Sequence, residues 1–171
     1  ETCQDLLQTK IAIIAAVEYF KETGRRLPLM AQVTLEPTGT MLLGTDIHAV
    51  IAALEMFPVD VIGMNCATGP AEMAEQVRTL CETSVKHISV LPNAGLPENV
   101  GGMAHYHLTP KELADFHERF VNEFGVSIVG GCCGTTPEHL KAVVDRVGKC
   151  VPKKRTPKHE PACASLYGIS A

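Results

Sequence analysis

Apolar residues run through this chain in short blocks, each followed by a Gly- or Asn-rich loop and then an amphipathic stretch. The first periodic segment predicts a helix from Asp5 to Glu22, with Leu6, Leu7, Ile11, Ile14, Ala15 and Tyr19 as its apolar face and Gly24 as its C-cap. Pro28 to Leu35 reads as a strand, and Glu36 to Gly44 as a loop. Thr45 is expected to cap a helix over Asp46 to Met56. Val59 to Met64 predicts a second strand, followed by a helix that opens at Pro70 and passes through Glu72, Val77 and Leu80. His87 to Leu91 predicts a third strand, and Pro92 to Leu108 a long loop of the kind that often carries function. Thr109-Pro110-Lys111-Glu112 has the form of a capping box with Pro at the first helical position, opening a helix to about Phe124 that Gly125 closes. Val126 to Val129 is the fourth strand, and Thr136-Pro137 starts a last helix ending near Val147.

Strands alternating with helices imply an α/β fold with a helix-covered parallel sheet. Four such units with a leading helix make half of an eight-stranded barrel. Residues 1–150 are assigned to this half barrel. From Pro152 the chain becomes Pro- and Lys-rich and loses its periodicity, so 151–171 is read as a linker toward a following module. Lys153, Lys154, Arg155 and Lys158 are expected to be solvated charges of that linker.

Composition narrows the partners. The 171 residues suffice for one domain with a real core, and a net charge of −4 gives no basic face for nucleic acid. No apolar stretch reaches the roughly 18 residues that span a bilayer, so no membrane partner is expected. The start, Glu1-Thr2-Cys3-Gln4-Asp5, has neither an initiator Met nor a signal peptide's basic region, which suggests a fragment or processed piece. Seven cysteines, an odd number, fit a reducing compartment, with cytoplasm as the default.

Three of those cysteines are placed for chemistry. Cys132 and Cys133 lie in Gly130-Gly131-Cys132-Cys133-Gly134, just past a strand, and Cys66 ends another. Active sites of parallel strands gather at the C-terminal ends. A lone Cys there would read as a small buried hydrophobe. Three at one edge, two of them in a flexible Gly-rich turn, suggest a three-sulfur zinc site with an open fourth position. Cys3, Cys81, Cys150 and Cys163 are expected to be structural or neutral. Asn93, in Pro92-Asn93-Ala94-Gly95, serves either an Asx turn or a site. His105 and His107 are more simply exposed than ligating, and the Gly-rich loops lack the Lys of a phosphate loop.

Taken together, Val129-Gly130-Gly131-Cys132-Cys133-Gly134-Thr135-Thr136-Pro137-Glu138-His139, Gly63-Met64-Asn65-Cys66, Pro92-Asn93-Ala94-Gly95 and Glu1-Thr2-Cys3-Gln4-Asp5 resemble, in order, segments of the homocysteine S-methyltransferase family. The resemblance runs over essentially the whole chain. It is nearest to members that form the N-terminal, homocysteine-binding module of cobalamin-dependent enzymes. It implies a (βα)8 TIM barrel of which strands five to eight are present. It implies Cys66, Cys132 and Cys133 as zinc ligands, and Glu1 and Asn93 as contacts to the amino acid part of homocysteine. It also implies methyl transfer to the homocysteine thiol, with cobalamin and folate bound by other modules of the same polypeptide. The tail Pro161-Ala162-Cys163-Ala164-Ser165-Leu166-Tyr167 resembles the linker to a folate-binding module. Sibling activities remain open at this point: a cobalamin-independent enzyme using S-methylmethionine or betaine, or a fusion with a folate reductase. A non-catalytic zinc-binding fragment is the alternative of another class.

Overall fold

Strand and helix alternate through the computed structural model, which describes residues 1–165 and 168–170. Helix α1 (Leu6–Thr23) is followed by β1 (Met30–Val33), α2 (Ile47–Leu54), β2 (Val61–Asn65), α3 (Pro70–Thr83) and β3 (His87–Leu91). A hairpin of β4 (Glu98–Val100) and β5 (Met103–His105) precedes α4 (Pro110–Arg119), which runs into a π-helical turn over Phe120–Phe124. Then come β6 (Ile128–Val129), α5 (Pro137–Val147) and an antiparallel pair, β7 (Cys163–Ser165) with β8 (Gly168–Ser170).

One parallel sheet holds β1, β2, β3 and β6 in that order, with Met30 beside Val61, Val61 beside His87, and Ser89 beside Ile128. The spatial order follows the sequence without reversal. Right-handed crossovers then place successive helices on the same face, with no switch point of the doubly wound kind. Beyond β1, Cys3 pairs in parallel with Val33: the Cys3 N–H donates to Gln32 O at 3.1 Å and the Thr34 N–H to Cys3 O at 2.9 Å.

Strand alternation divides the sheet into two unlike faces. Val33, Ile62, Met64, Ile88 and Val90 are fully buried and pack with Val50 and Leu54 of α2 and Val77 and Leu80 of α3. The alternate positions Gln32, Gly63, Asn65 and Ser89 make a second face that is polar or small. It is tight as well as polar, since a Cβ on Gly63 would stand 2.5 Å from the Ser89 carbonyl oxygen.

Local signals account for most boundaries. Asp5 caps α1 by accepting from the Gln8 N–H at 2.8 Å, and Gly24 closes it at φ +67°. The capping box of α4 is complete, with the Thr109 N–H donating to Glu112 Oε2 at 2.8 Å and the Glu112 N–H to Thr109 Oγ1 at 3.3 Å.

Several expectations need correction. Asp46, not Thr45, caps α2, because its carboxylate accepts the Ala49 N–H at 2.8 Å. The face of α1 against the sheet is the stripe Leu6, Thr9, Ile13 and Val17; the expected Leu7, Ile11, Ile14 and Tyr19 are exposed. The helix carries two apolar stripes, and periodicity alone does not say which one the sheet takes. The loop from Pro92 to Leu108 contains the β4–β5 hairpin.

Arg155 is no solvated charge. Its guanidinium donates to Ser84 O at 2.8 Å, Cys81 O at 3.2 Å and Lys86 O, caging carbonyls at the C-terminal end of α3 and the turn into β3. The stretch 151–162 has no regular element, and β7 lies against α2. Leu166 and Tyr167, part of the tail compared above, lie outside the described residues.

Candidate metal centre

The chain leaves β2 at Cys66 in a left-handed conformation, φ +65°, and Ala67 continues it at +58°. With Thr2 at +58°, these are the positive-φ non-glycine residues among the described residues. Such backbone is costly and persists where the surroundings hold it. Here the Cys66 N–H donates to Leu91 O at 3.1 Å and the Thr68 N–H to Cys66 O at 2.8 Å.

The turn after β6 is laced to the loop after β3 in the same way. The Cys132 N–H donates to Pro92 O at 2.8 Å, and the Ala94 N–H to Cys133 O at 2.9 Å. Thr135 Oγ1 donates to Cys132 O at 2.7 Å. Glycine is required at 134, where φ is +77° and a Cβ would lie 2.2 Å from the Tyr106 ring.

These constraints converge three sulfurs. Cys66 Sγ stands 3.6 Å from Cys133 Sγ, Cys132 Sγ stands 4.0 Å from Cys133 Sγ, and all three lie within 4.8 Å of one another. Tetrahedral zinc with bonds near 2.3 Å requires sulfurs about 3.8 Å apart, so this donor set fits zinc by geometry and by chemistry. Cys66 and Cys132 are half-buried and Cys133 is exposed, which leaves one side reachable from solvent.

Electrostatics point the same way. The Cys133 thiol is pushed up to about 11 by its hydrogen bond with Cys66, by partial burial and by the charge of Cys132. The Tyr106 phenol is also raised, by partial burial and by the facing charges of Cys133, Cys66 and Cys132. Without a cation, the corner resists holding three anionic sulfurs. A dication removes that repulsion and deprotonates coordinating thiols.

Asn93 is 3% exposed and lies at this corner: its Oδ1 accepts the Cys133 N–H at 3.1 Å, and its own N–H donates to Thr68 O at 3.0 Å. Glu1 is exposed at the start of the edge segment, one residue from Thr2. The other cysteines stay out of the cluster. Cys81 is buried in α3 with its thiol pushed up to about 12, chiefly by burial, and Cys150 Sγ turns to Arg146 O at 3.6 Å. His105 and His107 are exposed, and His107 Nε2 meets Glu98 Oε2 at 3.0 Å.

Three contributors escaped sequence reasoning. Asn65 is 1% exposed and reaches both Thr2 and Cys132. Tyr106 stands over Gly134. His117, fully buried in α4, holds Gly130 O at 2.7 Å from Nε2. A polar residue closing an otherwise apolar run was the available signal for Asn65. Tyr106 and His117 act across the fold and left none.

A family model for homocysteine S-methyltransferase matches residues 1–147. The chain belongs to that family. It is 49% identical to methionine synthase of Mycobacterium leprae over 172 aligned positions, and 49% identical to methionine synthase of Mycobacterium tuberculosis over 167. Each alignment takes in 98% of this chain, and the chain spans 14% of the length of those relatives. A solved structure, the homocysteine methyltransferase MmuM of Escherichia coli in its apo form, superposes with a TM-score of 0.64 at 24% identity. That superposition covers 85% of this chain and 48% of the other.

Proposed function

We propose that this chain is the zinc- and homocysteine-binding part of a cobalamin-dependent methionine synthase, which transfers a methyl group to the homocysteine thiol to form methionine. The observation that carries the reading is the convergence of three sulfurs within 4.8 Å at the strand ends. Membership of the family and the small share of two long methionine synthases support it.

Cys66, Cys132 and Cys133 would hold the zinc, whose open fourth position keeps a substrate thiol anionic at neutral pH. The chain's own residues do the placing. The Asn93 carbonyl oxygen is occupied by the Cys133 N–H, so its amide NH2 is the end free to meet the amino acid group of the substrate. Glu1, on the same edge, offers a carboxylate to the substrate ammonium. The exposed side of Cys133 is where the thiol enters. Cobalamin and folate are assigned to other modules of the same polypeptide, and the free thiols suit a reducing, cytoplasmic setting.

Several features support reading residues 1–150 as strands five to eight of a (βα)8 barrel. The strand order does not reverse, Cys3 makes a parallel bridge to Val33 at the outer edge of β1, and Leu7, Ile11 and Ile14 give α1 an exposed apolar stripe. Residues 151–171 would lead to the next module, fastened at their start by Arg155.

Zinc content tests the reading. Wild-type polypeptide should carry one zinc at this site, and Cys66→Ser, Cys132→Ser and Cys133→Ser should each lose it. Cys81→Ser and Cys163→Ser should keep it. Full zinc in Cys132→Ser would overturn the ligand set.

A further inference from the structure

We infer that Asn65 is a positioning residue, whose side-chain amide ties the Glu1–Cys3 segment to the sulfur of Cys132. The inference rests on the zinc reading above and adds a residue to it.

Asn65 ends β2 on the sheet's polar face, and every polar group of its side chain is engaged. Oδ1 accepts the Thr2 N–H at 2.8 Å. Nδ2 donates to Thr2 Oγ1 at 2.7 Å and toward Cys132 Sγ at 3.8 Å. The amide cannot be turned over, because that would set NH2 against the Thr2 N–H and leave the sulfur facing an oxygen. Thr2 itself is left-handed at φ +58°, and these two bonds hold it there. The backbone oxygen of Asn65 is fixed in turn, accepting from Thr34 Oγ1 at 2.9 Å.

The two ends of this clamp matter for different reasons. An N–H donor aimed at a sulfur stabilises the thiolate over the thiol. It also fixes the direction of the sulfur lone pairs, as outer-shell partners of metal ligands do. The other end sets the height of the Glu1–Cys3 segment beside β1, and with it the Glu1 carboxylate. One buried amide therefore fixes the distance between a metal ligand and the edge proposed to receive the substrate ammonium. Cys66, the next residue, leaves the strand at φ +65°, and that turn brings its sulfur to the same cluster the Asn65 amide faces. The end of β2 thus leads directly into one candidate ligand, Cys66, and aims another, Cys132, through the Asn65 amide.

The test uses the full-length polypeptide that carries this chain, with Asn65→Ala and Asn65→Asp. Aspartate keeps the shape and the acceptor for the Thr2 N–H but loses the donor toward sulfur. Zinc affinity is measured by competition with a chromophoric chelator, and cobalt(II) replaces zinc to report thiolate-to-metal absorption. Both variants should keep one site per chain, bind zinc about 10- to 100-fold more weakly, and shift the cobalt charge-transfer band. Homocysteine KM should rise more in Asn65→Ala than in Asn65→Asp, because only alanine also releases Thr2. Wild-type affinity and an unshifted band in both variants would overturn the inference while leaving the zinc reading intact. Absence of zinc from the wild type would instead remove the zinc reading. If Asn65→Ala does not fold, Asn65→Asp decides alone, since its backbone contacts are retained.

Discussion

Acidification from pH 7 to pH 5 should lower the stability of the fold through a histidine that touches none of the three sulfurs. His117 lies fully buried in α4 with Nε2 2.7 Å from Gly130 O, so Nε2–H donates there, and its Nδ1 is buried without a partner. Burial holds its pKa down at about 4, against the opposing pull of the Gly130 carbonyl. The native ring is therefore neutral well below the pH at which the unfolded ring, near 6.5, takes up a proton. Between those values the unfolded state binds more protons than the native state, so stability falls as pH falls. The neutral ring's contribution is nearly complete at pH 7. It is lost at about 1.4 kcal/mol per pH unit below 6.5, or about 2 kcal/mol by pH 5.

The native ring stays neutral over this range and keeps its bond to Gly130, which opens the turn bearing Cys132 and Cys133, so the loss is one of global stability. Urea midpoints of wild type and His117→Gln at pH 7, 6 and 5, with chelator present, isolate the effect. Glutamine keeps an N–H for Gly130 but does not titrate. Contributions of the carboxylates and of the other histidines cancel in the difference. On going to pH 5 wild type should lose about 2 kcal/mol more than His117→Gln. Parallel curves would refute the assignment of this pH dependence to His117.

Two further outcomes are expected in the intact polypeptide. Asn93→Ala and Glu1→Ala should each weaken homocysteine binding about 10- to 150-fold, the worth of a charge-assisted hydrogen bond of roughly 1.5–3 kcal/mol. Isothermal titration reads this directly, and unchanged affinity in both would remove them from the substrate site without touching the zinc assignment. Gly134→Ala should cost about 1–3 kcal/mol in backbone strain and push Tyr106 from the thiols. Urea midpoints and zinc content read that change, and unaltered values of both would contradict the contact.

The parts of the fold legible in the sequence were those fixed by local chemistry. Thr109 to Glu112 carries its own capping instructions, and Gly125 and Gly24 mark helix ends where φ is positive. The run from His87 to Leu91 is a strand at its stated bounds because the end of α3 at Thr83 and Pro92 isolate it. Cys66, Cys132 and Cys133 were legible because strand ends in a parallel sheet converge whatever the loops do. What was not legible depends on choices between equivalent local options. Both stripes of α1 satisfy helical periodicity, and only the position of the sheet selects Ile13 over Ile11. Arg155 reads as one more charge in a basic tail until its guanidinium meets the carbonyls of Cys81, Ser84 and Lys86. The β4–β5 hairpin is three residues per strand around Gly101-Gly102, too short to show alternation.

The four residues Gly63-Met64-Asn65-Cys66 show how closely scaffold and site are merged. Gly63 allows β2 and β3 to approach, since any Cβ would meet the Ser89 backbone. Met64 points the other way, 1% exposed in the core among residues from β1 and β3. Asn65 returns to the polar face and turns both ends of its side-chain amide to Thr2 and Cys132. Cys66 then breaks the strand into the left-handed region, which carries its sulfur over to Cys133. Each residue answers a different demand: close approach, core volume, polar satisfaction and strained backbone. Substitutions along this stretch should therefore fail in four distinguishable ways. Gly63→Ala and Met64→Ala act first on folding, whereas Asn65→Ala and Cys66→Ser act first on the metal. A stretch in which packing and chemistry alternate residue by residue ties the geometry of the three sulfurs to the register of the sheet.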